Sequence, residues 1–172
     1  MRLDTVSTLL IWASVIAFGV HNLEETYAIE GWMAGRNLPA IASLYRKKPF
    51  FIASSLLWVV YVVVVALAFR STNTIALRVL FVAFAAIVAN GLFHVLAAPV
   101  FRKTPPGFWS ALTLVLPLGG LFAWHMITTG LLTYKQTLVT LLIGAVLQIP
   151  LAAGAILIAA SLCGLKWKSS RK

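Results

Sequence analysis

Five runs of apolar residues, each long enough to cross a bilayer, dictate most of what this chain can fold into. They cover roughly 5–29, 50–69, 77–99, 108–130 and 136–163. A hydrocarbon core about 30 Å thick takes about 20 helical residues. Inside it every backbone N–H and C=O must be paired within the protein, which leaves helices and closed barrels. Unbroken runs of this length lack the alternation of barrel strands. The sequence therefore predicts an all-α integral membrane bundle of five transmembrane helices, a single domain over 1–172. With 61% hydrophobic and 10% charged residues, the chain is too poor in charge for a water-soluble fold of this length. The first run is too long for a signal-peptide core and lacks a small-residue cleavage site, so it reads as a retained helix.

The basic residues give an orientation. Arg36, Arg46, Lys47 and Lys48 follow the first run, Arg102 and Lys103 the third, and Lys166, Lys168, Arg171 and Lys172 the fifth. Only Arg2, Arg70, Arg78 and Lys135 fall on the other side. The positive-inside rule then predicts an outside N-terminus and a cytoplasmic C-terminus in a bacterial cytoplasmic membrane. Segment 30–49, with Trp32, Tyr45 and its basic residues, suits a stretch lying along the cytoplasmic interface. The net charge of +10 is this loop dressing, with no basic patch interleaved with stacking aromatics, so nucleic acid is excluded as a partner. Trp109, Trp124, Tyr134 and Trp167 fall near span ends as interfacial anchors. The lone Cys163 rules out an internal disulfide. Pro117 and Pro150 are expected to kink the fourth and fifth helices, and the small residues of 151–160 to let helices approach closely.

Against this background the stretch "HNLEE" (21–25) stands out. The chain has only four acidic residues and three histidines, yet His21, Glu24 and Glu25 lie inside the first apolar run. Positions i, i+3 and i+4 share a helix face, so the three point one way and Asn22 another. In the third run Asn90 and His94 stand one turn apart on one face. With about 1.5 Å of rise per residue, the two groups come to the same depth, on the order of 5–15 Å below the midplane on the cytoplasmic side. Pro106, Gly107 and Ser110, at the start of the fourth run, reach that level too. His125 falls near the opposite face and reads as a structural hydrogen-bonder. Gln148 reads as an interhelical hydrogen-bonder and Glu30 as a solvated group at the interface.

Two adjacent carboxylates in a medium of low dielectric need compensation. A divalent metal, raised pKa values, or pairing with protonated histidines or arginines would each supply it. The residue types suit a metal held by His21, Glu24, Glu25 and His94, with Zn²⁺ favoured and iron or manganese as alternatives. Asn90 and Ser110 would support the ligands or position a substrate. The same four residues are the catalytic candidates. A bound ion would activate water for hydrolysis of a membrane lipid or another membrane-dissolved substrate. The competing chemistry is metal-free acid/base catalysis by a His–Glu pair, as in double-bond isomerisation. From a different class comes a non-catalytic site that binds or transports a metal ion or a small amphiphile. Haem between His21 and His94 is disfavoured by the neighbouring carboxylates. A tether between the two helices is the bland alternative, and two acids with two histidines exceed what a tether needs. The spacing matches no HExxH zinc signature. A homo-oligomer is compatible with the sequence.

"HNLEE" resembles the signature of the HXXEE-domain family, small bacterial membrane proteins of uncharacterised function. The resemblance extends to a further histidine, matched by His94 in "NGLFH", and to a Tyr-x-Pro-Gly element that aligns with "TPPG" (104–107). Thr104 stands where that element has tyrosine. The resemblance implies a shared site and supplies no reaction. A looser likeness, in helix count and His/Glu chemistry alone, is to sterol isomerases of the emopamil-binding type.

Overall fold

The apolar runs form five helices. The computed structural model describes residues 3–34, 36, 43–71 and 73–165. Helix α1 is Thr5–Ala34, α2 Lys47–Arg70, α3 Thr74–Phe101, α4 Phe108–Thr128 and α5 Tyr134–Leu162. Each is long and apolar enough to span a membrane. Large apolar side chains point outward along them: Ile16 is 70% exposed, Val100 75% and Val146 69%. Water would not tolerate such a surface, and hydrocarbon does. The chain is a multi-pass membrane protein.

Several helix boundaries differ from those of the apolar runs. The first helix continues through Ala34, so residues 30–34 of the expected interfacial segment belong to α1. Residues 35 and 37–42 of that segment lie outside the described residues, as do Arg2, Trp167 and the basic residues of the tail. Glu30 is exposed, as expected, and its carboxylate accepts from the Lys47 amide at 2.9 Å. Pro99 does not end α3, which runs on to a left-handed Arg102 at φ 50°. Pro99 has no N–H to give the Val95 carbonyl, and α3 carries it as an interior proline. Helix α5 begins two residues early because Thr133 and Gln136 form a capping box. In α4 the irregularity precedes Pro117: Ala111–Val115 form a π-helical turn, a known source of helix bends. Pro150 lies within α5.

The core gathers Ile11, Phe18, Val65, Leu80, Phe84 and Met126 from α1 to α4. Phe122 packs against Phe84 with ring centroids 4.4 Å apart and planes tilted by 36°. Small residues set the closest approach. A Cβ on Gly144 would lie 2.6 Å from the backbone of Ala85 and Ala86, so α5 rides directly on α3 there. Farther along, Ala155 and Ala159 meet Ala53 of α2, which is the packing expected of the stretch 151–160.

Two crossings separate α1 from α3, so they run parallel. Their side chains meet at a constant offset. His21 touches Asn90 across 69 residues of sequence, and Glu25 with His94 and Trp32 with Phe101 repeat the same offset of 69. This fixed register positions the polar residues.

Candidate functional site

Helix periodicity puts His21 and Glu25 on the inward face of α1, where His21 is fully buried and Glu25 nearly so. Glu25 Oε2 lies 3.8 Å from His21 Nε2, as i, i+4 spacing allows. Its other oxygen, Oε1, lies 2.8 Å from His94 Nε2 of α3, at ion-pair distance. The two imidazole rings meet edge to face with centroids 5.0 Å apart. One turn back, Asn90 Nδ2 lies 2.9 Å from His21 Nε2. The Asn90 carbonyl oxygen accepts from Gln148 Nε2 of α5 at 2.8 Å, which fixes how that amide faces.

Glu24 points to a different partner. Its Oε1 accepts from the Trp109 amide at 3.1 Å and its Oε2 from the Ser110 amide at 2.7 Å. The Ser110 hydroxyl donates to the same Oε2 at 2.5 Å. Glu24 thus caps the start of α4, which has no side-chain cap of its own. Free backbone N–H groups and the positive end of the helix dipole stabilise a carboxylate there. The two adjacent acids are therefore compensated separately, Glu24 by a helix terminus and Glu25 by imidazoles.

Ser110 joins the two halves. Its Oγ lies 3.0 Å from His21 Nδ1. A hydroxyl has one proton, and that of Ser110 goes to Glu24, so His21 Nδ1–H must be the donor in the second bond. His21 Nε2 then carries the lone pair, consistent with Asn90 donating to it. Gly107 makes this approach feasible: at φ +76° a Cβ would come within 2.6 Å of His21 Cε1 and 2.7 Å of Glu25 Cγ. Pro105 and Pro106 are buried beside it, and Thr104 is exposed.

All the residues expected in the cluster come to one level, but in two groups. The metal-competent group is His21, Glu25 and His94, whose donor atoms lie within 4.8 Å of one another. Glu24 lies across Ser110 from it, bound to α4. Zn²⁺ bound at about 2.0–2.1 Å in tetrahedral geometry sets its donors about 3.3 Å apart. The observed 2.8 and 3.8 Å run to different Glu25 oxygens, and the donor atoms spread to as much as 4.8 Å, so the three side chains would draw together around an ion. The donor set, two imidazoles and a carboxylate, also fits the three protein ligands of open catalytic zinc sites. His125 sits apart, as expected, paired with Asp4 at 3.0 Å near the far end. Asn22 faces α2, where its amide donates to the Ser54 carbonyl at 3.2 Å.

Two features escape sequence reasoning. The acceptors that Glu24 satisfies are backbone amides, which no residue type announces. The Asp4–His125 pair joins residues 121 apart: His125 reads as a structural hydrogen-bonder, and nothing in the sequence names Asp4 as its partner. For the Pro-Gly element a signal existed, since Gly107 is the left-handed residue on which the α3–α4 turn depends.

A family model described as "Protein of unknown function with HXXEE motif" matches residues 12–122. The matched region includes His21, Glu24, Glu25, Asn90, His94, Gly107 and Ser110, and excludes Gln148. No curated protein and no solved structure matches the chain.

Proposed function

We propose that this chain, which belongs to the family of proteins of unknown function with an HXXEE motif, is an intramembrane metal-dependent enzyme of hydrolase type. Its substrate is a lipid or another membrane-dissolved molecule. The observation that carries this reading is the convergence of His21, Glu25 and His94 within 4.8 Å from two helices. By the distribution of basic residues the site opens toward the cytoplasmic leaflet of a bacterial membrane.

His21, Glu25 and His94 would hold the ion. A divalent metal there supplies an activated water and polarises a carbonyl or phosphoryl oxygen. The protein's own contribution is orientation. The Glu24–Ser110–His21 chain holds His21 with its Nε2 lone pair facing the cluster, the carboxylate-backed arrangement that raises ligand basicity. Asn90, aligned by Gln148, stands beside that nitrogen and can donate to a substrate oxygen once released from His21. The burial of His21 and Glu25 keeps bulk water out, which strengthens each electrostatic contact.

One observation favours a metal-free reading. His94 Nε2 already lies 2.8 Å from a Glu25 oxygen, and such a pair can exchange a proton with an apolar substrate. Metal content separates the two. Protein purified without chelator should carry about one equivalent of metal, and Glu25→Gln or His94→Ala below about 0.2. Wild-type protein that stays below that level after supplementation with zinc, iron and manganese sinks the metal enzyme. Turnover separates an enzyme from a binding or transport protein: wild type, but not Glu25→Gln, should form a new product from a total lipid extract.

A further inference from the structure

Beyond the cluster, the α1–α3 seam continues for one more level. Trp32 lies seven residues after Glu25, and Phe101 seven after His94. Seven residues are two helical turns, about 10.5 Å along the axis. The Trp32 and Phe101 rings meet edge to face with centroids 5.8 Å apart. Arg36 lies against both, its Cζ 4.0 Å from the Trp32 centroid and 4.1 Å from that of Phe101. Lys103 Nζ approaches the same indole at 5.9 Å.

The chain has four acidic residues, and none pairs with these cations. Asp4 is with His125, Glu24 with the start of α4, Glu25 with His94, and Glu30 with the Lys47 amide. Among the described residues no carboxylate lies within ion-pair distance of Arg36 or Lys103. Unpaired cations are common on this basic chain, but a guanidinium held against two rings is not a freely moving surface charge. Contact with both rings holds the group in place, and its N–H donors are left for an anionic acceptor. Between this level and the Glu25–His94 pair, the facing positions in the register are Ala28 and Ala97. Both have small side chains, Ala28 exposed and Ala97 partly so. The seam is therefore open from its side, and His94 and Glu25 keep 18% and 12% side-chain exposure.

We infer that Arg36 and Lys103, set on Trp32 and Phe101, bind the anionic headgroup of a phosphate-bearing membrane lipid. The lipid's linkage region then enters between Ala28 and Ala97 toward Glu25 and His94. The inference rests on the reading of that cluster as a lipid-processing site, and it narrows the substrate to anionic phospholipids. Phosphate oxygens match the guanidinium edge, a second cation stands beside it, and indole rings favour the headgroup level of a bilayer.

The test uses the full-length protein in nonionic detergent, incubated with equal amounts of phosphatidylglycerol and phosphatidylcholine. Lipid retained after gel filtration is quantified, with zinc measured in the same fractions. Wild type should retain phosphatidylglycerol over phosphatidylcholine by about tenfold or more. Arg36→Gln/Lys103→Gln should lose that preference, while Arg70→Gln/Arg78→Gln, which removes two exposed charges near the other end, should keep it. Equal retention of the two lipids by wild type overturns the inference. So does a preference that survives Arg36→Gln/Lys103→Gln or falls equally in Arg70→Gln/Arg78→Gln. Displacement of the lipid by inorganic phosphate at matched concentration overturns the choice of a lipid over free phosphate. A preference that depends on Arg36, in protein that binds no zinc, refutes the metal centre alone. Normal zinc without the preference refutes the headgroup site alone.

Discussion

At the scale of single residues, Ser110 does more than its size suggests. Its one hydroxyl donates to Glu24 and accepts from His21. Ser110→Ala leaves both partners short of a bond in a largely buried place, a cost of about 1–3 kcal/mol. It also frees His21 to change tautomer, so metal affinity should fall about 10–100-fold. Thermal unfolding and zinc titration of the variant check the two effects separately. Affinity equal to wild type would show that His21 needs no backing. Asp4 gives a second prediction, at the opposite end. The Ser7 amide, with help from His125, holds the Asp4 carboxyl at about 2 against an ordinary 3.8. A depressed pKa means that the charged form is favoured by folding. Its stabilisation is fully present above about pH 4 and is lost as pH falls through about 2. The difference in melting temperature between wild type and Asp4→Asn should therefore narrow as pH falls from about 4 to about 2. A difference that widens over that interval would reverse the sign and refute the depressed Asp4 carboxyl.

At the scale of helices, contact distance decides function. Gln148 can reach Asn90 because α5 rides close on α3, and Gly144 is where the backbones nearly touch. Gly144→Val must push the helices apart, at about 1–3 kcal/mol or more. Gly154→Val lies in the same helix with nothing within 4 Å of its Cβ position, so it should leave the melting temperature nearly unchanged. Equal melting temperatures for the two variants in circular dichroism would contradict the close α3–α5 contact. Helix α4 shows a related dependence. Its first turn is fastened by a side chain from α1 rather than by a residue of its own, so α4 and α1 are placed together.

At the scale of the whole molecule, the five spans were legible because lipid leaves the backbone few choices. Depth was legible for the same reason: counting rise per residue brought His21, Glu25, Asn90 and His94 to one level. Azimuth was less so. Glu24 and Glu25 differ by about 100° around α1, and the sequence does not say which neighbour fills each direction. Once α4 takes one side and α3 the other, Glu24 becomes a helix cap and Glu25 the partner of two imidazoles. The helix ends differ from the apolar runs at Ala34, Phe101 and Tyr134, and at Tyr134 the Thr133–Gln136 capping box accounts for it. Asp4 and His125 were each visible as polar residues, and their pairing had to wait for the fold to bring the ends of α1 and α4 together.

The constant offset between α1 and α3 makes these two helices act like rails joined by three rungs. The first rung is His21 with Asn90, the second Glu25 with His94, the third Trp32 with Phe101. Rails joined this way cannot slip at one rung alone. A molecule that wedges the aromatic rung apart must also alter the spacing of the donor atoms two turns away. Occupancy at one end and affinity at the other are then reciprocal quantities: whatever factor the first imposes on the second, the second returns.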